Sequence, residues 1–252
     1  MFALSQPALL EDEGFVLAKD LLGEDSLRVF YLTRKLGRWE GIAKKARKSL
    51  RRFGGGLEPF CILDVACRAS KGQANTFFLE RSKSRVFFDG ILASKHAAMA
   101  GFLANDIVLN SQLGPGEALP LFSSYHGLLV ALDAGENPWS ALLSFFEAFF
   151  CLIGIAPKLK RCVRCGSLLA GHSKAGLSVS EAGAVCPSCL AKQERLLGSS
   201  LPLYAKGAQH ALVRFYLEHW QYRFDRALLS YRVYREVSNS SMPNPSEEGS
   251  FP

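Results

Sequence analysis

Cys162-Val163-Arg164-Cys165-Gly166 and Cys186-Pro187-Ser188-Cys189 organise the second half of this chain. The two Cys-x-x-Cys pairs flank a loop of twenty residues that runs from Gly166 to Val185. Each pair is expected to form a tight turn that directs both sulfurs to one centre, and four thiolates make the tetrahedron that zinc prefers. The spacing therefore predicts a zinc site whose ligands are Cys162, Cys165, Cys186 and Cys189.

Two alternatives exist for these cysteines: a pair of disulfides, or four unrelated thiols. Disulfides require an oxidising compartment. The N-terminus, Met-Phe-Ala-Leu-Ser-Gln-Pro, lacks a basic region and is soon followed by Glu11-Asp12-Glu13, so we expect no export signal and a cytoplasmic location. Four sulfurs leave no coordination position for water or substrate, so the zinc is expected to be structural.

The composition is that of a soluble globular protein with a basic balance. Of 252 residues, 48% are hydrophobic and 21% charged, enough for one large core or two modest ones. The longest apolar run, Ala141 to Ala156, is interrupted by Glu147 and stopped by Pro157, so we expect no membrane span and no membrane partner. A net charge of +7 and a pI of about 9.1 favour a polyanionic partner.

The first third of the chain has the pattern of short β-strands. Segments rich in β-branched and aromatic residues alternate with glycine-containing turns such as Gly23-Glu24-Asp25-Ser26. Five such strands with one long basic connection, residues 44–57, predict a small closed barrel such as an OB-fold at residues 1–82, although other small barrels fit the same pattern. The predicted strands are 14–19, 27–33, 38–43, 58–67 and 76–81.

After Ser82 the apolar residues recur at helical spacing. We expect an α-helical domain at residues 83–237 that carries the zinc module at 158–195, so the whole chain is predicted to be α+β. The predicted helices are 93–113, 119–132, 138–155, 208–226 and a short one reaching Val237. The helix that starts at Pro138 is almost wholly apolar and predicts a buried centre that includes Cys151. Residues 238–252 are rich in Ser, Pro, Asn and Glu and predict a disordered tail.

Basic residues are concentrated between the third and fourth predicted strands and just before them. Glu40 is the one acidic residue among them, and the acidic residues of the first strands lie elsewhere in sequence, which predicts a charge-polarised domain. We expect these side chains to bind phosphates. The neighbouring Trp39 and Phe53 are candidates to stack on unpaired bases, and Trp39 could instead pack inside the barrel. A loop whose charges only aid solubility, or a nuclear-localisation signal, would have the same composition. The candidate DNA-binding residues are Arg34, Lys35, Arg38, Trp39, Lys44, Lys45, Arg47, Lys48, Arg51 and Arg52.

Catalytic motifs are not apparent in the sequence. There is no Gly-x-x-x-x-Gly-Lys-Ser/Thr and no His-Glu-x-x-His. Gly171-His172-Ser173-Lys174-Ala175 weakly resembles a nucleophile elbow, but the last glycine is missing and no strand is predicted before it. We therefore interpret this segment as a turn and the protein as non-enzymatic.

Several motifs occur in an order that is typical of one family. They are Gly14-Phe15-Val16-Leu17, Gly23-Glu24-Asp25, Leu32-Thr33, Gly37, Ala43-Lys44-Lys45-Ala46-Arg47-Lys48-Ser49, Leu57-Glu58-Pro59-Phe60, Ala104-Asn105-Asp106, the four cysteines, and Leu212-Val213-Arg214-Phe215-Tyr216-Leu217. In this order the chain resembles, over residues 11–235, the RecO family of bacterial recombination mediators. Asp106 stands where the family usually has Glu, and the four cysteines match the zinc-bearing members.

The resemblance implies an N-terminal OB-fold, a helical C-terminal domain and a zinc module. It implies binding of single- and double-stranded DNA, annealing of complementary strands, and action on the bacterial nucleoid. The implied partners are RecR and the acidic tail of the single-stranded-DNA-binding protein, so that RecA is loaded on DNA. By position, Lys44, Lys45, Arg47 and Lys48 would contact DNA. The alternatives are a zinc-ribbon protein-interaction or transcription-regulatory module, and a hydrolase whose site has no recognisable motif.

Overall fold

Five strands form the N-terminal part of the protein. The computed structural model describes residues 8–69, 76–111, 113, 115–169, 174–190, 197–202 and 208–240. Inward and outward side chains alternate most regularly in the third strand, where buried and half-buried residues follow one another from end to end. The strands are β1 Leu9–Leu22, β2 Ser26–Thr33, β3 Gly37–Ala43, β4 Cys61–Ala69 and β5 Thr76–Phe87.

The strands close into a barrel in the order β1-β2-β3-β5-β4. Strand β1 pairs antiparallel with both β2 and β4, which joins the two edges of the sheet. Strand β3 pairs parallel with β5, and Ile42 lies opposite Phe78 in that register. Val16, Val29, Tyr31 and Leu63 are among the apolar side chains that fill the interior.

Two sequence predictions for this part are wrong in detail. Strand β5 continues to Phe87, so the predicted domain boundary after residue 82 falls inside a strand that pairs with β4 as far as Cys61. The connection 44–57, predicted as a loop, contains a 3₁₀ turn at Ala46–Lys48 and a short helix, α1, at Leu50–Phe53. Burial of Ala46 and Phe53 against the barrel core holds these turns in place.

The helices pack on one side of the barrel and share a core with it. They are α2 Asp89–Ala93, α3 Lys95–Asn110, α4 Ala118–Asp133, α5 Pro138–Leu152, α6 Gln209–Phe224 and α7 Leu229–Ser240. Phe15, Leu32 and Phe60 from the barrel belong to the same buried cluster as the apolar residues of α3, α4 and α5. At Gly101 a Cβ atom would lie 2.6 Å from the Phe60 ring, so this close contact requires glycine. The α+β architecture is therefore confirmed.

Local signals explain several helix boundaries, but three predictions for the helical part are wrong. Asn137 caps α5 by accepting hydrogen bonds from the N–H groups of Trp139 and Ser140, as the Asn-Pro pair predicts. The long helix predicted at 93–113 is divided, because Ser94 ends α2 and caps α3. Helix α7 extends to Ser240, so residues 238–240 are helical, and residues 241–252 of the predicted tail lie outside the described residues.

Cys151 is the third correction, because it lies on the exposed face of α5 and not in the core. The opposite face of α5 is buried, with Phe146, Phe149 and Phe150 at its centre. Of the helices that the structure describes, none is long and apolar enough to cross a membrane.

Candidate nucleic-acid interface and metal centre

The four cysteines of the two Cys-x-x-Cys pairs converge on one point. Their Sγ atoms all lie within 4.8 Å of one another, and those of Cys165 and Cys186 are 3.7 Å apart. A tetrahedron with zinc–sulfur bonds of about 2.3 Å has sulfur–sulfur edges of about 3.8 Å. The sulfurs therefore already stand close to the separation that zinc requires, and the donor set suits a structural site.

Backbone hydrogen bonds form the two turns that carry the sulfurs. Gly166, at φ +74°, donates its N–H to the Cys162 carbonyl at 2.9 Å, and Cys189 donates to the Cys186 carbonyl at 3.0 Å. The first turn is attached to strand β7 (Gly183–Val185) because Val163 donates to the Ala184 carbonyl at 2.9 Å. Strand β7 pairs with β6 (Lys174–Ser178), which in turn pairs with β8 (Leu197–Pro202).

The turns favour the thiolate at Cys162 but not at Cys189. Burial raises the pKa of Cys162, but N–H donors, led by that of Cys186 at 3.3 Å, outweigh burial and bring this pKa to about 6. Hydrogen bonds with the Cys165 and Cys186 sulfurs raise the pKa of Cys189 to about 12, which favours the protonated thiol. A bound metal would replace that proton.

Arginines next to the metal site stabilise the module. The guanidinium of Arg164 binds the Glu181 carboxylate through Nε and Nη2 and donates from Nη1 to the Cys189 carbonyl at 2.8 Å. Arg161 donates to the Gly166 carbonyl at 3.1 Å. Residues 170–173, which include most of the Gly171-His172-Ser173 motif, and residues 191–195 of the predicted module lie outside the described residues.

The predicted basic region is divided between the two ends of strand β3. Arg34 and Lys35 precede the strand, whereas Lys44 to Arg52 follow it. Because β3 runs over Gly37–Ala43, the two groups are separated by about 20 Å. They therefore do not form the single cluster that sequence proximity suggested.

The group before β3 lies beside acidic residues of β1. Arg34 lies 3.5 Å from a carboxylate oxygen of Glu13, and Lys35 donates to the Glu11 carbonyl at 3.4 Å. The prediction of a charge-polarised domain is therefore wrong, because strand pairing brings the acidic and basic segments together. Arg38 is half-buried and donates to the Leu109 carbonyl at 2.7 Å, so it joins the barrel to α3. Burial and the nearby Arg226 lower the pKa of Arg38.

The group after β3 forms an exposed basic surface. The basic side chains of the connection 44–57 all lie within residues 44–52, and from here on we call these nine residues the basic connection. Lys48 pairs with Asp25 at 2.6 Å, Arg47 donates to the Glu24 carbonyl at 3.1 Å, and Arg52 donates to the Lys44 carbonyl. Within the described ranges, Lys45 and Arg51 are exposed and have no ion-pair partner. The basic connection is held to the β1–β2 turn while several of its charges face solvent.

Trp39 is a barrel core residue. It is 3% exposed, its ring stacks on Tyr31 with centroids 4.6 Å apart, and its Nε1 donates to Thr33 Oγ1 at 2.9 Å. A nucleobase could reach this ring only if the barrel opened. Of the two roles predicted for Trp39, base stacking is therefore wrong and barrel packing is the role found.

Phe78 is an aromatic residue beside the basic connection that the sequence analysis missed. It is half-buried, and Lys44 Nζ lies 4.3 Å from the centre of its ring. The Phe77-Phe78 pair could have indicated it, because adjacent residues of a strand face opposite sides and one of the two rings must point outward.

Comparisons with known proteins identify the family. The N-terminal model of Recombination protein O matches residues 8–84, and the C-terminal model matches residues 96–217. A protein of Anaeromyxobacter sp. (strain K), named DNA repair protein RecO, is 34% identical over 206 residues, which cover 80% of this chain and 76% of that protein. Proteins of the same name from Nocardioides sp. and Bifidobacterium longum subsp. infantis are 30% and 26% identical, over 77% and 90% of this chain and 78% and 98% of theirs.

The matches cover both the barrel and the helical part, including the segment with both cysteine pairs. They agree with the order of motifs along the sequence, and the family is named for DNA repair and recombination. This chain therefore belongs to the RecO family of DNA repair proteins.

Proposed function

We propose that this protein is a non-enzymatic mediator of recombinational DNA repair that binds single- and double-stranded DNA and anneals complementary strands. The observation that carries the proposal is the exposed basic connection on a closed barrel, where Lys44, Lys45, Arg47 and Arg51 present cations to solvent. We also assign the barrel to the OB-fold. The strand order β1-β2-β3-β5-β4 with β3 parallel to β5 supports this assignment.

Phosphate contacts explain how such a surface would promote annealing. Lysine and arginine side chains neutralise phosphates and release counterions without reading base sequence. Two complementary strands held in this way repel each other less, and their bases stay available for pairing. Lys48 would have to exchange Asp25 for a phosphate, so we expect it to contribute less than Lys45 or Arg51.

The metal would support the fold and not the chemistry. Cys162, Cys165, Cys186 and Cys189 would hold one zinc ion through four sulfurs, which leaves no position for a substrate. The ion would tie the first turn to the second and so fix the segment between α5 and α6.

The partners are proposals that rest on family membership. We propose that the protein acts with RecR, that it binds the acidic tail of the single-stranded-DNA-binding protein, and that it thereby helps load RecA on covered DNA. Action on the nucleoid would place it in the bacterial cytoplasm.

A charge-removal experiment tests where DNA binds. The variant Lys45→Ala/Arg47→Ala/Arg51→Ala should weaken binding of every DNA sequence alike, because phosphates carry no sequence information. Loss of three phosphate contacts should reduce the slope of log affinity against log salt concentration by about 2 to 3. Fluorescence anisotropy over a salt series measures both quantities.

The matched control is Arg223→Ala/Arg232→Ala/Arg235→Ala, which removes three exposed arginines of α6 and α7 and the same net charge. We expect the control to keep the wild-type salt slope. Equal losses of affinity in the two variants would mean that overall charge attracts DNA and that the basic connection is not the site.

A further inference from the structure

Four side chains form a row across the outer face of the barrel beside the basic connection. Arg28 of β2 lies opposite Ile42 of β3, Ile42 lies opposite Phe78 of β5, and Phe78 lies opposite Arg68 of β4. Neighbouring strands are about 4.8 Å apart, so the two arginines stand about 14 Å apart with the apolar pair between them. The pairing of β2, β3, β5 and β4 brings these four residues together although they are far apart in sequence.

Phe78 faces outward in this row. Its neighbours Phe77 and Leu79 pack on the barrel core, and Phe77 makes an edge contact with Trp39 at 5.0 Å between centroids. Because side chains alternate along a strand, Phe78 must lie on the other side of the sheet. It is half-buried, and the ammonium of Lys44 lies over its ring.

Besides Lys44, two arginines lie in the same row as Phe78: Arg68 on the neighbouring strand, and Arg28 two strands away on the other side. Arg28 Nε lies 3.1 Å from Glu40, and Arg68 Nε lies 3.4 Å from Glu80. Both ion pairs are partly exposed to solvent, where such pairs contribute little to stability and can exchange partners. An aromatic face with lysine above it and arginines on both sides has the chemistry of a nucleotide site, in which the ring receives a base and the cations receive phosphates.

We propose that Phe78 stacks on an unpaired base, and that Lys44, Arg28 and Arg68 hold the phosphates beside that base. This inference rests on the proposed function and deepens it, because it gives the barrel one contact that only a single strand can make. In a duplex the bases are stacked on each other and their faces cannot reach the ring. In a single strand, a phosphate draws Lys44 off the ring and a base takes its place.

A purely structural role for Phe78 predicts different behaviour. If the ring only covers the outer face of the sheet, leucine can replace it, because both side chains are apolar and of similar reach. If the ring stacks on a base, leucine fails and tyrosine succeeds, because only tyrosine keeps an aromatic face.

Three nucleic-acid probes of equal length separate these roles: oligothymidylate, an abasic strand and a duplex. Phe78→Leu should lower affinity for oligothymidylate by about 5- to 150-fold, the range measured for loss of one stacked base. Its affinity for the abasic strand and the duplex should equal that of the wild type. Phe78→Tyr should keep the wild-type affinity for all three probes.

A spectroscopic reporter keeps the proposal testable should Phe78→Leu fold poorly. The natural tryptophans Trp39, Trp139 and Trp220 are buried, so the Phe78→Trp variant adds an indole that is partly exposed to solvent. Oligothymidylate should quench the added fluorescence, whereas the abasic strand and the duplex should not.

The same experiment distinguishes failure of this inference from failure of the proposed function. Two results together would overturn stacking at Phe78. Phe78→Leu would change the affinity for all three probes equally, or for none of them, and all three probes would quench the fluorescence of Phe78→Trp equally. If Lys45→Ala/Arg47→Ala/Arg51→Ala also leaves the affinity for all three probes unchanged, the proposed DNA site itself fails. Loss of affinity in that charge variant alone would leave the proposed function standing without the stacking site.

Discussion

Asn105 connects the barrel to the helices through a single buried amide. Its Nδ2 donates to the Leu17 carbonyl of β1 at 3.1 Å, and its Oδ1 accepts a hydrogen bond from the Tyr125 hydroxyl of α4. Asn105 is 3% exposed and Tyr125 is fully buried, so water cannot replace either bond. This contact gives a physical role to the Ala104-Asn105-Asp106 motif.

We predict that Asn105→Ala lowers the free energy of unfolding by about 2–6 kcal/mol, since it leaves two buried polar groups without partners at about 1–3 kcal/mol each. Chemical denaturation followed by circular dichroism measures the loss. Ser144→Ala on the exposed face of α5 is the control and should change stability little. A loss for Asn105→Ala no larger than that control would show that the amide does not tie the two parts together.

We predict that zinc binding depends on the four clustered cysteines and not on Cys151. Cys162→Ser/Cys186→Ser should release zinc and lower the unfolding temperature, because two of four ligands are lost and metal binding is coupled to folding. Cys151→Ser is the matched control: this thiol is exposed on α5 and lies outside the cluster, so the variant should keep one zinc per chain. Elemental analysis of the purified proteins measures the zinc content per chain. Full zinc content in the double variant would show that the ligands are misassigned.

His210 predicts a pH dependence of stability. Burial lowers the pKa of His210, and the nearby His96 lowers it further. The unfolded chain, with an ordinary histidine pKa of about 6.5, therefore takes up the proton more readily than the folded protein. Stability should fall as pH drops below 6.5, until the pKa of folded His210 is passed.

The His210→Gln variant cannot take up this proton, so its unfolding midpoint should fall less than that of the wild type over the same acid range. Urea denaturation on both sides of pH 6.5 measures the difference. Parallel curves for the two proteins would assign the acid sensitivity to other groups.

At the scale of elements, helix α7 depends on a carboxylate from α3. Asp106 Oδ2 accepts hydrogen bonds from the Ser230 N–H at 2.8 Å and from its hydroxyl at 2.7 Å. Ser230 lies in the first turn of α7, where N–H groups have no partner within the helix. Asp106 thus caps α7 from outside, and its negative charge also suits the helix dipole.

We predict that Asp106→Ala destabilises α7 by about 0.5–2 kcal/mol, as loss of a helix cap does. Amide hydrogen exchange should quicken in residues 230–236 and stay unchanged in the barrel. Asp106→Glu, which restores the usual family residue, should keep most of the protection. Uniform acceleration across barrel and helices in Asp106→Ala would mean that the carboxylate supports the whole fold and not this helix.

Local sequence patterns predicted which strands and helices form better than they predicted where each one begins and ends. Strand β3 and the cap of α5 were predictable because alternation and the Asn-Pro pair act within a few residues. The length of β1 was not, because Glu11, Asp12 and Glu13 look unlike a strand. Glu11 and Glu13 in fact lie on the barrel exterior, where their carboxylates pair with Arg81 and Arg85 of β5.

At the scale of the whole molecule, the pairing of strands in the barrel determines which basic side chains lie beside acidic residues and which ones line the candidate DNA surface. The cysteine cluster could be predicted, since each pair is local and only the two turns had to meet. The candidate DNA surface could be predicted only in part. Lys44 and Lys45 are adjacent in sequence, but Phe78 and Arg68 join them only through the pairing of β3, β5 and β4. The sequence alone also did not show that Arg34 and Lys35 meet the acidic residues of β1.

The most direct test of the central claim is annealing of two complementary labelled oligonucleotides without any nucleotide cofactor, at low and moderate salt. One series uses bare strands, and a second uses strands covered with the cognate single-stranded-DNA-binding protein. The account predicts that the protein accelerates annealing, that salt suppresses the acceleration, and that Lys45→Ala/Arg47→Ala/Arg51→Ala loses it while Arg223→Ala/Arg232→Ala/Arg235→Ala keeps it. Annealing no faster than the spontaneous rate at either salt concentration would contradict a mediator that acts through phosphate contacts.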